Sequence, residues 1–380
     1  MLGIAILAGG LLVDGSVRGE GRAGTAVAGQ GAGSGSFAAD VTAQLSGPDG
    51  VLRLGVAPSA VLASEDQFFG AGTMEAGLRI AAGSWIRLRQ RLGYGVMDLS
   101  PLSGTSSSTP PPVTAPVQPP PGSRFLTVQE SSTSLDLEIA AARRLKLAGS
   151  VGWNVYGGAD AFSRAELPLS RGPRVRASGE WAATPLDSLR AEVNAIDASY
   201  SNGRRATVGT MTGGWRTALS RSAELLVALG PGVARSRVEG LPAKVSVYGV
   251  AAADCRIAAS SGVSLAMGLS VEPLGDPLTG EVVERGSVRG SATWGLAGIG
   301  TATASLAASV AITTASDAGT STQAGDRFLQ AELGASFPVT ARSTFGIGLR
   351  TVSMSRPFAG QPQTQWAGFA SLTAHFPQLR

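Results

Sequence analysis

The chain carries one histidine, His375, and one cysteine, Cys255, so its means for catalysis are few. A Ser-His-Asp hydrolase needs a nucleophile, a base and an orienting acid. His375 is the one imidazole that could be the base, and it stands two residues before Pro377 near the end of the chain. A polar residue at a rim accounts for it more simply. A lone cysteine can form neither an intrachain disulfide nor a cysteine metal cluster. The sequence has no HExxH, CxxC, Walker or dinucleotide pattern, and the Gly-rich piece Gly298–Gly300 lacks the strand-to-helix setting of a phosphate loop. Lysine and arginine do not run together with interleaved aromatics, so nucleic acid is not an expected partner. Neither a metal nor another cofactor is expected, nor is enzymatic activity.

The chemistry the sequence does offer is that of guanidinium groups in rows. Ser84 to Asp98 reads SWIRLRQRLGYGVMD. Ile86, Leu88, Leu92, Tyr94 and Val96 share one parity, and Arg87, Arg89, Arg91 and Gly93 share the other. A strand sends successive side chains to opposite faces, so the stretch has one apolar and one strongly basic face. On a helix the same residues would scatter around the axis. Just upstream, Met74, Ala76, Leu78 and Ile80 alternate with Glu75, Gly77 and Arg79, after Leu52, Leu54 and Val56 around Arg53 and Gly55.

The pattern repeats almost to the end of the chain. Leu135, Leu137 and Ile139 flank Asp136 and Glu138, while Val175, Ala177 and Trp181 oppose Arg174, Arg176 and Glu180. Leu329, Leu333 and Phe337 oppose Gln330, Glu332 and Ser336. Charged residues make up only 15% of the chain, below the usual quarter for soluble proteins. Mean hydropathy is slightly positive, yet no internal stretch approaches the ~20 apolar residues of a membrane helix. Mild hydrophobicity in alternate positions is the mark of a transmembrane antiparallel β-barrel, an all-β fold with lipid outside and a polar lumen. A Gly/Ala-rich secreted solenoid is the bland alternative.

Sixteen to eighteen strands are expected over 37–376; barrels of ~16–18 strands leave an aqueous channel. The count is ambiguous over Ala182–Arg205, where Leu189–Val193 reads as a strand. Phe162–Leu169 is expected to pair as a strand with Val175–Ala183, and Glu272–Glu284 to be a loop. Residues 1–36 read as a leader: Leu2–Val13 is an apolar run of signal-peptide length, and Gly24–Ser36 is rich in small residues. Residues 377–380 are expected to be a tail. The stretch 99–124 contains Pro110, Pro111, Pro112, Pro119, Pro120 and Pro121, which deny a ladder its donors. It is expected to be a long extracellular loop able to contact a partner. Short turns alternate with long polar loops, as in outer-membrane barrels, and the six Trp residues lie near strand ends, where an interfacial girdle would sit.

By parity the expected pore wall carries Arg53, Arg79, Arg87, Arg89, Arg91, Arg174 and Arg176, with Asp136, Glu138, Glu180 and Glu332. In a water-filled pore such arginines favour anions and phosphate, opposed acids set a transverse field, and guanidinium also suits hydroxyl-rich chains. Pairing across the wall, merely bracing it, is the structural alternative.

The last strand, Trp366–Phe376, reads WAGFASLTAHF and resembles the C-terminal strand read by the outer-membrane assembly machinery, although PQLR follows it. Arg216–Leu226 (RTALSRSAELL), Gly93–Asp98 and the Pro-rich loop give the chain the style of large barrels of myxobacteria and related Gram-negative bacteria. That resemblance spans about 37–376. It implies an outer-membrane location and contact with outer-membrane lipid. Some such barrels are ports for secreted polysaccharide that work with a periplasmic export protein. The expected function is therefore a conduit, either a passive porin-like channel or an export port. A structural or adhesive surface barrel acting through its loops is the alternative, and a barrel enzyme using His375 is a third.

Overall fold

In the computed structural model, residues 10–24, 33–62, 67–98, 125–240, 242–258, 262–276, 280–296, 299–314, 327–355 and 364–379 are described. They form eighteen strands: β1 Gly10–Gly24, β2 Gly33–Ser46, β3 Gly50–Leu62, β4 Gln67–Ala81, β5 Ser84–Asp98 and β6 Phe125–Ala142. Then come β7 Leu145–Gly158, β8 Ser170–Ala182, β9 Asp187–Tyr200, β10 Arg204–Ser220, β11 Ala223–Val238 and β12 Lys244–Ala258. The last six are β13 Val263–Gly275, β14 Val282–Gly295, β15 Thr301–Thr314, β16 Arg327–Thr340, β17 Ser343–Met354 and β18 Thr364–Leu379. Each strand pairs antiparallel with its neighbour in sequence, and β1 pairs with both β2 and β18. The sheet is therefore closed and has no edge to leave backbone groups unsatisfied in lipid.

One face of the wall is apolar and exposed. Leu54, Val56, Leu88, Leu92, Leu135, Val151, Val175, Val193, Met211, Leu229, Val247, Met267, Leu333 and Leu349 all lie on it. A belt of exposed large apolar side chains around a closed barrel is stable only against acyl chains. Trp181, Trp215 and Trp294 sit on the outer face toward the short-turn rim, and Trp366 sits toward the long-loop rim. Trp85 departs from the girdle: it shares the inner parity and lies under the Arg87 guanidinium at 5.5 Å. Two-residue turns such as 143–144, 221–222 and 341–342 close one end, where β1 starts and β18 finishes. The longer connections lie at the other end. No described helix is long and apolar enough to cross a membrane.

Several expectations are corrected. The wall starts at Gly10, inside the stretch read as leader, and β2 starts at Gly33. The alternation in β1 is masked in the sequence because glycines stand outward, while Ser16, Arg18, Glu20 and Arg22 share the other parity. At the far end β18 runs to Leu379, through the expected tail. The strand expected at Phe162–Leu169 is instead a short helix, α1, Ala161–Glu166. The Asp160 carboxylate accepts from the Ser163 backbone N–H at 2.8 Å and so caps it. The expected loop Glu272–Glu284 shrinks to 276–281, since β13 and β14 stay paired up to Gly275 and Val282. The ambiguous stretch holds one strand, β9. Residues 1–9 and the Pro-rich loop, with Pro110–Pro112 and Pro119–Pro121, lie outside the described residues.

One seam is irregular. The ladder between β12 and β13 runs only from Ala258–Ser264 to Ala251–Val271. Above it, Lys244–Val250 stay paired to β11 while Glu272–Gly275 stay paired to β14. The top of the β13–β14 hairpin thus leaves the wall and leans inward. Pro273 has no N–H to offer a ladder, and its ring lies over Gly232 and close to Val250. At the tip, Gly280 adopts φ +74°, a conformation that favours glycine, with its Cα against the Tyr200 ring.

Candidate functional site

The inner wall has two zones. Toward the short-turn end it is charged. Arg53, Glu75, Arg87, Arg89, Arg91, Asp136 and Glu138 occupy the face opposite the apolar belt on four adjacent strands. Glu75 is the hub, with Arg53 at 3.9 Å, Arg87 at 4.0 Å and Arg89 at 3.8 Å. Arg87 reaches Glu138 at 2.9 Å, Arg89 reaches Asp136 at 3.3 Å and Arg91 reaches Glu130 at 2.6 Å. Arg79 shares this face at the rim, where its Nε donates to the Ala81 carbonyl at 3.4 Å. Four guanidiniums, Arg53, Arg87, Arg89 and Arg91, thus meet four carboxylates, Glu75, Glu130, Asp136 and Glu138, so that Arg79 at the rim supplies the one excess positive charge, and the Arg53 and Arg89 side chains remain half exposed.

The other expected wall residues lie farther round the barrel on the same face. Arg176 pairs with Glu192 at 2.8 Å, and Arg190 holds that same carboxylate at 2.7 Å. Arg174 stands one position above. Glu180 accepts from Ser188 at 2.9 Å and lies 3.5 Å from Arg216, which also pairs with Glu224. Glu332 binds Arg350 at 2.6 Å. All eleven expected residues thus share one face, although they form separate clusters instead of one ring.

Sequence reasoning missed several partners. Glu20 sits between Arg18 and Arg22, 2.5 Å from each. Asp254 on β12 reaches Arg289 on β14 at 3.2 Å, across Gly268 on the strand between them. A Cβ at 268 would fall 2.6 Å from the Asp254 carboxylate, so the pair needs a glycine there. The triplet Arg-x-Glu-x-Arg at 18–22 was the legible signal of a charged strand face.

Toward the long-loop end the same inner face is closely packed, with apolar clusters beside the buried Glu20, Arg285, Arg350 and Gln365. Leu126 and Val128 on β6 are fully buried beneath Leu167, which follows α1, with Met97 and Tyr156 against them. The α1 segment is tied down by backbone bonds: Ala159 N–H to the Thr127 carbonyl at 2.8 Å, and Thr127 N–H to Ser163 Oγ at 3.0 Å. A second cluster joins Tyr200, Ala206, Val208 and Ala234 to Val282 of the inward hairpin, which Arg204 clamps through Glu281. A third joins Phe328, Val352, Met354 and Ala367. Inner positions in the first two clusters, expected to be polar, are therefore apolar and packed, because the α1 segment and the β13–β14 hairpin fold back over them.

His375 lies on the last strand near the short-turn rim, where its backbone N–H donates to the Arg342 carbonyl at 2.7 Å. Among the described residues, no group of three His, Cys, Asp or Glu side chains is placed to hold a metal ion.

The comparisons agree with this architecture. Residues 94–248 match the EpsX exopolysaccharide export family. The fold is similar to the outer-membrane protein opdK of Pseudomonas aeruginosa, at 10% identity and TM-score 0.52, over 97% of this chain and 99% of that one. It is also similar to OccK2 (OpdF) of Pseudomonas aeruginosa in complex with glucuronate, at 13% identity and TM-score 0.52, over 97% and 98% of the two chains. The FrpB iron transporter of Neisseria meningitidis aligns at 12% identity and TM-score 0.52, over 96% of this chain and 68% of that one. No curated protein matches the sequence. The chain has the closed barrel fold seen in outer-membrane proteins, and its apolar belt suits a lipid bilayer.

Proposed function

We propose that this barrel is a non-enzymatic, gated export port that passes an anionic, hydroxyl-rich polymer outward. The observation that carries this reading is the division of the lumen. A charged, solvent-open zone faces the periplasmic end, and a closely packed zone, with apolar clusters under folded-in connections, narrows the outer end. Guanidinium groups suit carboxylates, phosphates and sugar hydroxyls, and in rows they offer a polymer successive weak sites. Ion pairing keeps each site shallow, so that the polymer can leave as well as enter. The match of 94–248 to an exopolysaccharide export family supports the same direction of transport.

In this reading a periplasmic export protein docks at the short-turn end and delivers the polymer, and the outer-membrane assembly machinery reads the last strand. The test is flux from loaded vesicles. Carboxylated oligosaccharides should leave faster than neutral ones of equal length once the outer mouth is freed by deleting 276–281. Equal rates for both, or faster exit of cationic chains, would contradict the proposal.

A further inference from the structure

The outward face of the barrel holds a feature that transport through the lumen does not use. At the long-loop end, Arg171 on β8, Ser199 on β9, Arg205 on β10 and Arg237 on β11 are directly paired across the strands and form one row. Their parity is that of the lipid-facing side, since Val175, Val193, Met211 and Val233 lie on the same strands and face. Arg235 stands just below, opposite Thr207. The next row, Ala195, Gly209, Val233 and Val247, is wholly apolar. The arginines thus sit where the apolar belt ends on the outward side. On the β2–β6 side the described outer-face positions toward this end, among them Phe37, Pro58, Phe68, Tyr94 and Gln129, include no arginine or lysine.

All four arginines are exposed. Arg205 is neutralised by Asp197, which accepts from its Nε at 2.9 Å and its Nη2 at 2.5 Å and also from Thr207 Oγ1 at 2.8 Å. Asp197 is thereby committed. Among the described residues the side chains of Arg171, Arg235 and Arg237 have no hydrogen-bond or ion-pair partner. Neighbouring strands lie ~4.8 Å apart, so β8 to β11 spans roughly 14 Å, enough to reach phosphates at both ends of a disaccharide-sized headgroup.

We infer that this row is a binding site for a phosphorylated glycolipid of the outer leaflet, with Arg171, Arg235 and Arg237 on its phosphates and the valines below on its acyl chains. Guanidinium binds phosphate through paired N–H donors, and at a membrane surface each basic residue adds appreciable attraction. The inference rests on the outer-membrane reading and adds a ligand outside the lumen.

The test compares binding of a bis-phosphorylated glucosamine glycolipid with that of its dephosphorylated form by native mass spectrometry of the intact chain. The native protein should prefer the phosphorylated form. The triple variant R171Q/R235Q/R237Q should lose on the order of 100-fold in affinity for it, at about a factor of five per charge, and none for the dephosphorylated form. The Arg→Lys triple should keep most of the preference. Equal binding of both glycolipids, or a preference untouched by the triple variant, would overturn the site. So would inorganic phosphate binding as tightly as the glycolipid. The same preparations, inserted into planar bilayers, separate the two ideas: a triple variant that inserts and conducts like the native chain but has lost the preference isolates the lipid site from the conduit. A native chain that refuses bilayers would remove the membrane reading and the site with it.

Discussion

Near the short-turn end, Arg89 on the inner wall keeps half of its side-chain surface open to water while facing two acids at 3.3 and 3.8 Å. Near the long-loop end, Leu126 and Val128 on the inner wall of the next strand are 1% and 0% exposed. Both zones share the same wall, the same parity and the same strand spacing. What differs is what lies over them. The charged zone meets water and is braced by ion pairs, each contributing ~0.2–1 kcal/mol at such exposure. The apolar zone meets the protein's own connections, and a fully buried aliphatic side chain contributes ~1.5–3 kcal/mol. A barrel can therefore keep one end of its lumen wet and fill the other by choosing inward residues.

The contrast can be broken most strongly at Tyr200. Tyr200 is the floor on which the β13–β14 hairpin rests, so Tyr200→Ala should cost ~3–5 kcal/mol of local packing and free the hairpin. Single-channel conductance should rise severalfold; an unchanged conductance would mean that the hairpin does not narrow the path. Leu167→Ala should loosen the α1 segment by ~2–4 kcal/mol, read as faster hydrogen exchange at the Ala159 and Leu167 amides.

At the charged end, Glu75→Gln removes the carboxylate shared by Arg53, Arg87 and Arg89. Anion preference, measured as a reversal potential in a salt gradient, should increase, whereas Arg87→Gln with Arg89→Gln should reduce it. A preference that moves the other way in either variant would dissociate selectivity from this cluster.

The smallest effect concerns acid. The Ser163 backbone N–H, the largest cause, holds the Asp160 carboxyl below its usual range. A depressed folded-state pKa gives stabilisation that is present above the unfolded value, near 3.9, and is lost as pH falls through the folded one. The α1 segment should therefore hold its cap at neutral pH and release it only below about pH 4. Asp160→Asn should remove this dependence, followed by the exchange of the Ser163 amide across the acid range.

Period-two alternation made most of the wall legible, and with it the face carrying Arg53, Arg87, Asp136 and Arg176. Where glycine stands in for the outward apolar residue, as at Gly15, Gly19 and Gly21, the alternation fades and β1 resembles a leader. The packed mouth was illegible for another reason. Alternation says which face a residue takes, not what comes to cover that face. Leu126, Val128, Val352 and Met354 stand at inward positions that a water-filled lumen would leave polar, and that conflict was the available signal. The helix at Ala161–Glu166 was hidden by its shortness, although Asp160 two residues after Gly158 marks a cap.

Single-channel recording of the intact chain beside a chain lacking 276–281 and 161–166 tests the two-zone lumen most directly. The account predicts small or intermittent steps from the intact barrel and large, steady, anion-preferring steps from the trimmed one. Large, steady steps from the intact barrel, unchanged by trimming, would contradict it.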